Sequence, residues 1–246
     1  MEPEPRAGCW SSKQTSIIVK EPPAHGGRTK LRRDMNRSRS IIPQERLTLF
    51  GEPDDSPDVG NVAYHSQVFD LEEALALEAA LDREIEWKQD FISMYGQTTP
   101  LPRLTAWHGD PGFDYTYSGI SMHPSPWTPA LGIIKNRIEE LCQAEFNSAL
   151  ANKYRNGKDS VSWHSDDEPE LGPTPLIGSV SFGATRRFLL RRKPHQKGAS
   201  SLGIDLESGS CLVMSGLTQA NWEHSIGRTS RPIAQRINLT FRKIVT

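Results

Sequence analysis

Arg236-Ile237-Asn238-Leu239-Thr240-Phe241-Arg242 alternates polar and apolar side chains without a break. Successive side chains of a strand point to opposite faces, so this run predicts a strand with one polar and one apolar face. Similar short runs precede it at Ser148–Tyr154, Ser160–His164, Ile177–Phe182, Arg187–Arg192 and Ser210–Met214, with Gly- and Pro-containing turns between them. Many short strands at such spacing predict a sandwich or jelly roll.

The first half reads differently. Leu71 to Arg83 is predicted as a helix, with Asp70 as N-cap and Glu72 and Glu73 in the first turn. Pro129 to Leu141 is a second helix, because Ala130, Ile133, Ile134, Ile138 and Leu141 recur at helical spacing and Pro129 suits the first turn. Residues 62–69 read as strand. The expected fold is mostly β with helices (α+β): a jelly-roll, double-stranded β-helix core with N-terminal helices packed on one side.

A chain of 246 residues accommodates one such domain plus a tail. The domain is assigned to residues 43–246. Residues 1–42 carry Pro3, Pro5, Pro22, Pro23 and Gly26-Gly27 with few large apolar groups, and read as a flexible tail. Arg28, Lys30, Arg32, Arg33, Arg37 and Arg39 make part of it basic, which suits either a solvated linker or an arm on phosphates. The net charge is −1, so any nucleic-acid surface has to be local. Cys9, Cys142 and Cys211 are too few and too scattered for a disulfide framework or a cysteine zinc site. No apolar run is long enough to span a membrane, and the N-terminus has no signal-peptide core. An intracellular, monomeric protein without membrane contact is expected.

Trp163-His164-Ser165-Asp166 carries the chemistry. On a strand, His164 and Asp166 share a face and can address one ion. His224, in Asn221-Trp222-Glu223-His224-Ser225, can join them across a barrel. Two imidazoles and a carboxylate on one face of an octahedral ion form the facial triad of non-haem Fe(II) oxygenases, leaving two positions for a 2-oxo acid and one for dioxygen. The polar face of the last strand, Arg236, Asn238, Thr240 and Arg242, is either solvent-exposed or lines the barrel. An interior arginine requires an anion, and guanidinium binds carboxylate in a bidentate fashion.

Asn152-Lys153-Tyr154, Trp163-His164-Ser165-Asp166-Asp167-Glu168, Val180-Ser181-Phe182-Gly183-Ala184-Thr185-Arg186 and the Arg236–Arg242 strand, in this order, resemble the AlkB family of Fe(II)- and 2-oxoglutarate-dependent dioxygenases. The likeness runs from about residue 85 to the C-terminus and more weakly back to about 45. In Pro102-Arg103-Leu104-Thr105-Ala106-Trp107 and Asp159 to Pro169 it is nearest to the second and third human members and their bacterial relatives. The resemblance implies Fe(II) on His164, Asp166 and His224. It implies 2-oxoglutarate on Asn152, Tyr154, Arg236, Asn238, Thr240 and Arg242, with Arg236 or Arg242 at the remote carboxylate, and O2 as oxidant.

The resemblance also implies oxidative removal of alkyl groups from bases such as 1-methyladenine and 3-methylcytosine in single- or double-stranded DNA, with formaldehyde, succinate and CO2 released. RNA or protein is the alternative substrate, and a non-enzymatic nucleic-acid-binding jelly roll the remote one. Tyr115 and Tyr117 are candidates to stack on a flipped base, or else edge-strand tyrosines. Asp167 and Glu168 could neutralise a cationic lesion, or belong to a plain acidic loop. Arg103 stands on the substrate side, and Tyr95-Gly96 is the expected wedge hairpin that fills the stack. Arg186, Arg187, Arg191, Arg192, Lys193 and Lys197 gather near one hairpin, as a phosphate-binding patch or a charge-protected edge.

Overall fold

The computed structural model describes residues 47–48, 60–94, 97–112, 115–117, 120–193 and 201–245. The expectations about residues 1–42, Tyr95-Gly96 and Lys197 lie outside them. The strands of the first half are β1 (Leu47–Thr48), β2 (Asn61–His65), β3 (Phe91–Met94), β4 (Gln97–Pro100), β5 (Leu104–Gly109), β6 (Tyr115–Tyr117) and β7 (Ile120–Met122). Those of the second half are β8 (Ser148–Tyr154), β9 (Val161–His164), β10 (Ile177–Gly183), β11 (Arg186–Arg192), β12 (Leu202–Leu206), β13 (Ser210–Ser215), β14 (Trp222–Ile226) and β15 (Arg236–Arg242). The helices are α1 (Leu71–Glu84), α2 (Pro129–Cys142) and the single turn α3 (Thr218–Asn221).

The alternating strand β15 lies inside a seven-stranded sheet of order β1-β2-β13-β10-β15-β8-β5. Its apolar residues Ile237, Leu239 and Phe241 are fully buried and join a core with Leu77 and Leu81 of α1 and Ile134 and Ile138 of α2. Burying one such side chain contributes about 1.5–3 kcal/mol. The helix contact is close. A methyl group added to Gly178 of β10 would stand 2.7 Å from Ile138 Cγ2, so glycine lets α2 settle on the sheet.

The second sheet, β12-β11-β14-β9, covers the opposite face. Phe188, Leu190, Ile204 and Ile226 from it pack with Ile177, Leu212 and Met214 of the large sheet. The result is helices, major sheet and minor sheet in layers, the jelly-roll arrangement with helices on one side. Among the described residues no helix is long and apolar enough to cross a membrane.

Asp70 caps α1 as its sequence predicts. Its Oδ1 accepts from Glu73 N–H at 2.9 Å, and Glu73 Oε2 accepts from Asp70 N–H at 3.1 Å. The predicted strand at 62–69 ends earlier, at His65. Val68 and Phe69 both donate their N–H to Gly209 O, which turns the chain out of the sheet and into the cap. Strands β5 and β12 carry no clean alternation in their burial, and the sequence does not predict them.

Candidate active site

His164 on β9 stands directly opposite His224 on β14. Their ring centroids are 4.3 Å apart. Asp166 completes the group, and one potential ligand atom from each residue lies within 4.8 Å of the others. The expected route to this convergence is corrected by the structure. β9 ends at His164, so Asp166 is not a strand neighbour two residues on. It turns inward beyond the strand end, where its N–H donates to Gln219 Oε1 at 3.0 Å.

Each member is preset for binding a cation. His164 Nδ1 sits 2.8 Å from Ser162 O. A carbonyl only accepts, so Nδ1 carries a proton, and Nε2 is the nitrogen turned toward the site, at 3.7 Å from Asp166 Oδ1. Burial pushes His224 down to about 3, against the opposing pull of Asp166, so its imidazole is neutral at pH 7. Phe188 stacks on that ring at 5.2 Å. Burial alone would raise the Asp166 carboxyl, but the charge and hydrogen bond of Arg242, the largest opposing influence, hold it down at about 2. Arg242 Nη2 lies 2.8 Å from Asp166 Oδ1.

The polar face of β15 lines the same cavity. Of the two alternatives for this face, the interior one holds: Arg236 is 1% exposed, and Asn238 and Thr240 are buried. Arg236 Nη2 donates to Ser181 Oγ at 2.9 Å, and its guanidinium lies over the Tyr154 ring at 5.2 Å. Its Nε and Nη1 have no hydrogen-bond partner among the described residues. Burial pulls this arginine down to about 10. A buried guanidinium with two idle donors calls for an anion, and a carboxylate fits that fork. Asn238 is already committed, since Nδ2 donates to Ser179 Oγ and to Val180 O, both at 2.9 Å. Asn152 lies opposite Asn238 and Tyr154 opposite Arg236 on β8, and both line the cavity.

The substrate-side candidates are less gathered. Arg103 lines the cavity and donates from Nε to Asn152 Oδ1 at 2.6 Å. Asp167 has a side chain 57% exposed and pairs with Lys193 at 3.0 Å. Glu168 is half-buried, with Oε2 buried and without a hydrogen-bond partner among the described residues. Tyr115 and Tyr117 occupy same-face positions of β6, which pairs with β7.

The expected basic patch is not a continuous surface. Arg186 is 3% exposed and donates to the carbonyls of Asn156, Asp159 and Gly227. Arg187 pairs with Asp205, and Arg191 pairs with Glu223 while lying 4.1 Å from the Trp163 ring centroid. Charges that looked free in sequence are answered by residues distant along the chain.

Sequence reasoning missed Gln219, Ser181 and Phe188. The two serines Ser179 and Ser181, alternating within an otherwise apolar β10, are a signal for a polar interior. A lone glutamine ahead of a histidine is none.

A family model described as the 2OG-Fe(II) oxygenase superfamily matches residues 61–242. The chain is 45% identical over 193 residues to mouse and to human alpha-ketoglutarate-dependent dioxygenase alkB homolog 3, over 76% of this chain and 67% of each relative. It thus spans about two thirds of their length. It is 36% identical over 189 residues to the mouse protein named DNA oxidative demethylase ALKBH2, over 74% of this chain and 79% of that one. The solved structure of OsALKBH1 shares the fold with a TM-score of 0.54 at 18% identity, over 74% of this chain and 96% of that chain.

Proposed function

The chain belongs to the AlkB family within the 2OG-Fe(II) oxygenase superfamily, and from that premise we propose that it removes N-alkyl groups from nucleobases of DNA by oxidation. The observation that carries the proposal is the convergence of His164, Asp166 and His224 in a cavity that also buries Arg236 with two idle donors. The names of the relatives, dioxygenase and DNA oxidative demethylase, support the reaction class and the nucleic-acid substrate.

In this proposal His164, Asp166 and His224 hold Fe(II). Arg236, Tyr154, Asn152, Thr240 and Arg242 surround 2-oxoglutarate, with Asn238 bracing the strand. Arg242 is engaged with Asp166, whereas Arg236 pairs with no carboxylate among the described residues, so Arg236 is assigned the carboxylate remote from the metal. When bound, the iron couples reduction of dioxygen to oxidation of 2-oxoglutarate to succinate and CO2, which supplies the oxidant for the alkyl carbon. The neutral His224 offers its lone pair without first losing a proton, and the Ser162 carbonyl orients His164 so that Nε2 faces the site. Leu150, Phe188, Met214 and Ile226 line the cavity with apolar surface that disfavours stray water. The hydroxylated carbon then leaves the base nitrogen as an aldehyde, formaldehyde when the group is methyl.

The substrate side extends the proposal. Asp167 neutralises a cationic 1-methyladenine or 3-methylcytosine, with Glu168 beside it, and Tyr115 and Tyr117 stack on the flipped base. Arg103 stands at the junction of the base and cosubstrate sites. Tyr95, next to Gly96, fills the gap left in a duplex. The catalytic unit is residues 43–246, acting as a monomer, and residues 1–42 are accessory.

The test is release of formaldehyde and succinate, with Fe(II) and 2-oxoglutarate supplied, on matched single- and double-stranded oligonucleotides carrying 3-methylcytosine. Turnover by the full chain that is lost in His164→Ala is expected. Succinate without base repair would move the substrate to another class, RNA or protein. No turnover at all would overturn the enzymatic proposal. Retained duplex repair in Tyr95→Ala would remove the wedge.

A further inference from the structure

The β9–β14 ladder sets His164 against His224, but it stops before Asp166. The carboxylate therefore needs another device to hold it in register with the two imidazoles. That device is in α3, the one-turn helix just before β14. Gln219 is 1% exposed. Its Oε1 accepts the Asp166 N–H at 3.0 Å, and its Nε2 donates to Met214 Sδ at 3.4 Å. Its main-chain carbonyl accepts from Lys193 Nζ at 3.0 Å, and the same ammonium reaches Asp167 Oδ2 at 3.0 Å.

The helix is itself fixed. Thr218 Oγ1 lies 3.1 Å from Asn61 O on β2 and 2.6 Å from Ser215 O on β13. Ser165 Oγ donates to Trp222 O at 2.8 Å, so the segment after β9 is tied to the chain before His224 directly at Ser165 and Asp166, and through Lys193 at Asp167. Of these ties, the Asp167–Lys193 pair is solvent-facing and weak. The Gln219 contact is buried, where losing the acceptor leaves the Asp166 main-chain N–H unsatisfied.

We infer that Gln219 is a positioning residue for the metal centre, holding the main chain of Asp166 so that its carboxylate meets the same ion as His164 and His224. The inference rests on the proposal that these three residues bind a metal. A simple space-filling role does not account for the contacts. The amide donates only to a thioether, a weak acceptor, and the volume alone would be met by methionine or leucine. What those residues lack is the oxygen that faces Asp166 N–H. Groups that orient metal ligands typically change metal affinity by about 10- to 100-fold when removed.

The experiment is Co(II) titration of the full chain, followed by its visible spectrum, for the unaltered protein, His164→Ala, Gln219→Met and Gln219→Glu, with amide hydrogen exchange at Asp166 measured in parallel. Binding by the unaltered chain that is lost in His164→Ala establishes the triad on which the inference stands. No Co(II) binding by the unaltered chain overturns that triad and the inference with it. Gln219→Met is expected to bind about tenfold or more weakly, with an altered spectrum and faster exchange at Asp166. Gln219→Glu keeps an oxygen in place and is expected to recover most of the affinity. Gln219→Met with unchanged affinity, spectrum and exchange overturns the inference. If Gln219→Met does not fold, Gln219→Glu decides alone: near-normal affinity and Asp166 protection support the positioning role, and binding as weak as in His164→Ala overturns it.

Discussion

The Arg242 guanidinium lies 2.8 Å from Asp166 Oδ1, so the buried carboxylate of the triad is ion-paired to the strand that lines the same cavity. Removing one partner of a buried pair leaves an uncompensated charge and costs about 3–5 kcal/mol. Arg242→Gln is expected to destabilise the metal-free protein by about 3 kcal/mol. A divalent ion on Asp166 replaces the lost positive charge, so Co(II) should raise the stability of the variant more than that of the parent. Urea unfolding with and without Co(II) checks this. An equal deficit in both conditions would mean that Arg242 supports the fold and not the charge of the site.

Arg236 should behave in the opposite sense. It is buried with two nitrogens unsatisfied among the described residues, so it costs the fold stability that an anion would restore. Arg236→Met removes that burden and fills similar volume. Without cosubstrate its stability should equal or exceed that of the parent, while the apparent KM for 2-oxoglutarate should rise by about 100-fold, the loss of a charge-assisted contact worth about 3 kcal/mol. Thermal melts together with succinate kinetics separate the two effects. A variant that is destabilised and still binds 2-oxoglutarate normally would assign Arg236 to structure.

Strand β15 shows what a sequence discloses and what it withholds. Its alternation gives the boundaries Arg236–Arg242 as observed, because a two-residue period survives any surroundings. The alternation does not say which face is inside, and here both are. The apolar face lies under α1 and α2, and the polar face lines the cavity between the sheets. The triad was legible as residue types. Its geometry was not, since Asp166 is placed by Gln219, a contact across 53 positions that leaves no periodic trace. The same holds for the basic residues of β11. Arg186 reads as a surface charge until Asn156, Asp159 and Gly227 supply its carbonyls.

Asp159 supplies a pH signature. Burial would raise its carboxyl, but the N–H, Nε and Nη2 groups of Arg155 all donate to it and outweigh burial, so its pKa falls below the ordinary 3.8. The folded chain then releases this proton at lower pH than the unfolded chain. The stabilisation is whole above 3.8 and is lost as pH falls through the lowered folded value. Asp159→Asn should cost about 1–2 kcal/mol at pH 7 and progressively less below pH 3.8. Unfolding curves at pH 7 and in acid check it. A gap between the two proteins that stays constant into acid would remove the ion pair as its cause.

Gly209 is the backbone hinge that hands the sheet over to α1. Its φ is +78°, a region that other residues enter only with strain, and a Cβ there would stand 2.4 Å from Phe69 O. Its own carbonyl accepts from both Val68 N–H and Phe69 N–H, the contacts that end β2 and set up the Asp70 cap. Alanine at this point cannot keep both the turn and the contact. Gly209→Ala should lose about 2 kcal/mol or more from the positive φ and the clash together. Because Phe69 also packs on Phe182 of β10 at 5.6 Å, the displacement should spread into the helix–sheet core and not stay in the turn. Hydrogen exchange should therefore quicken across α1 as well as at Val68 and Phe69. Faster exchange confined to the turn would show that α1 is held by its own packing, independently of Gly209.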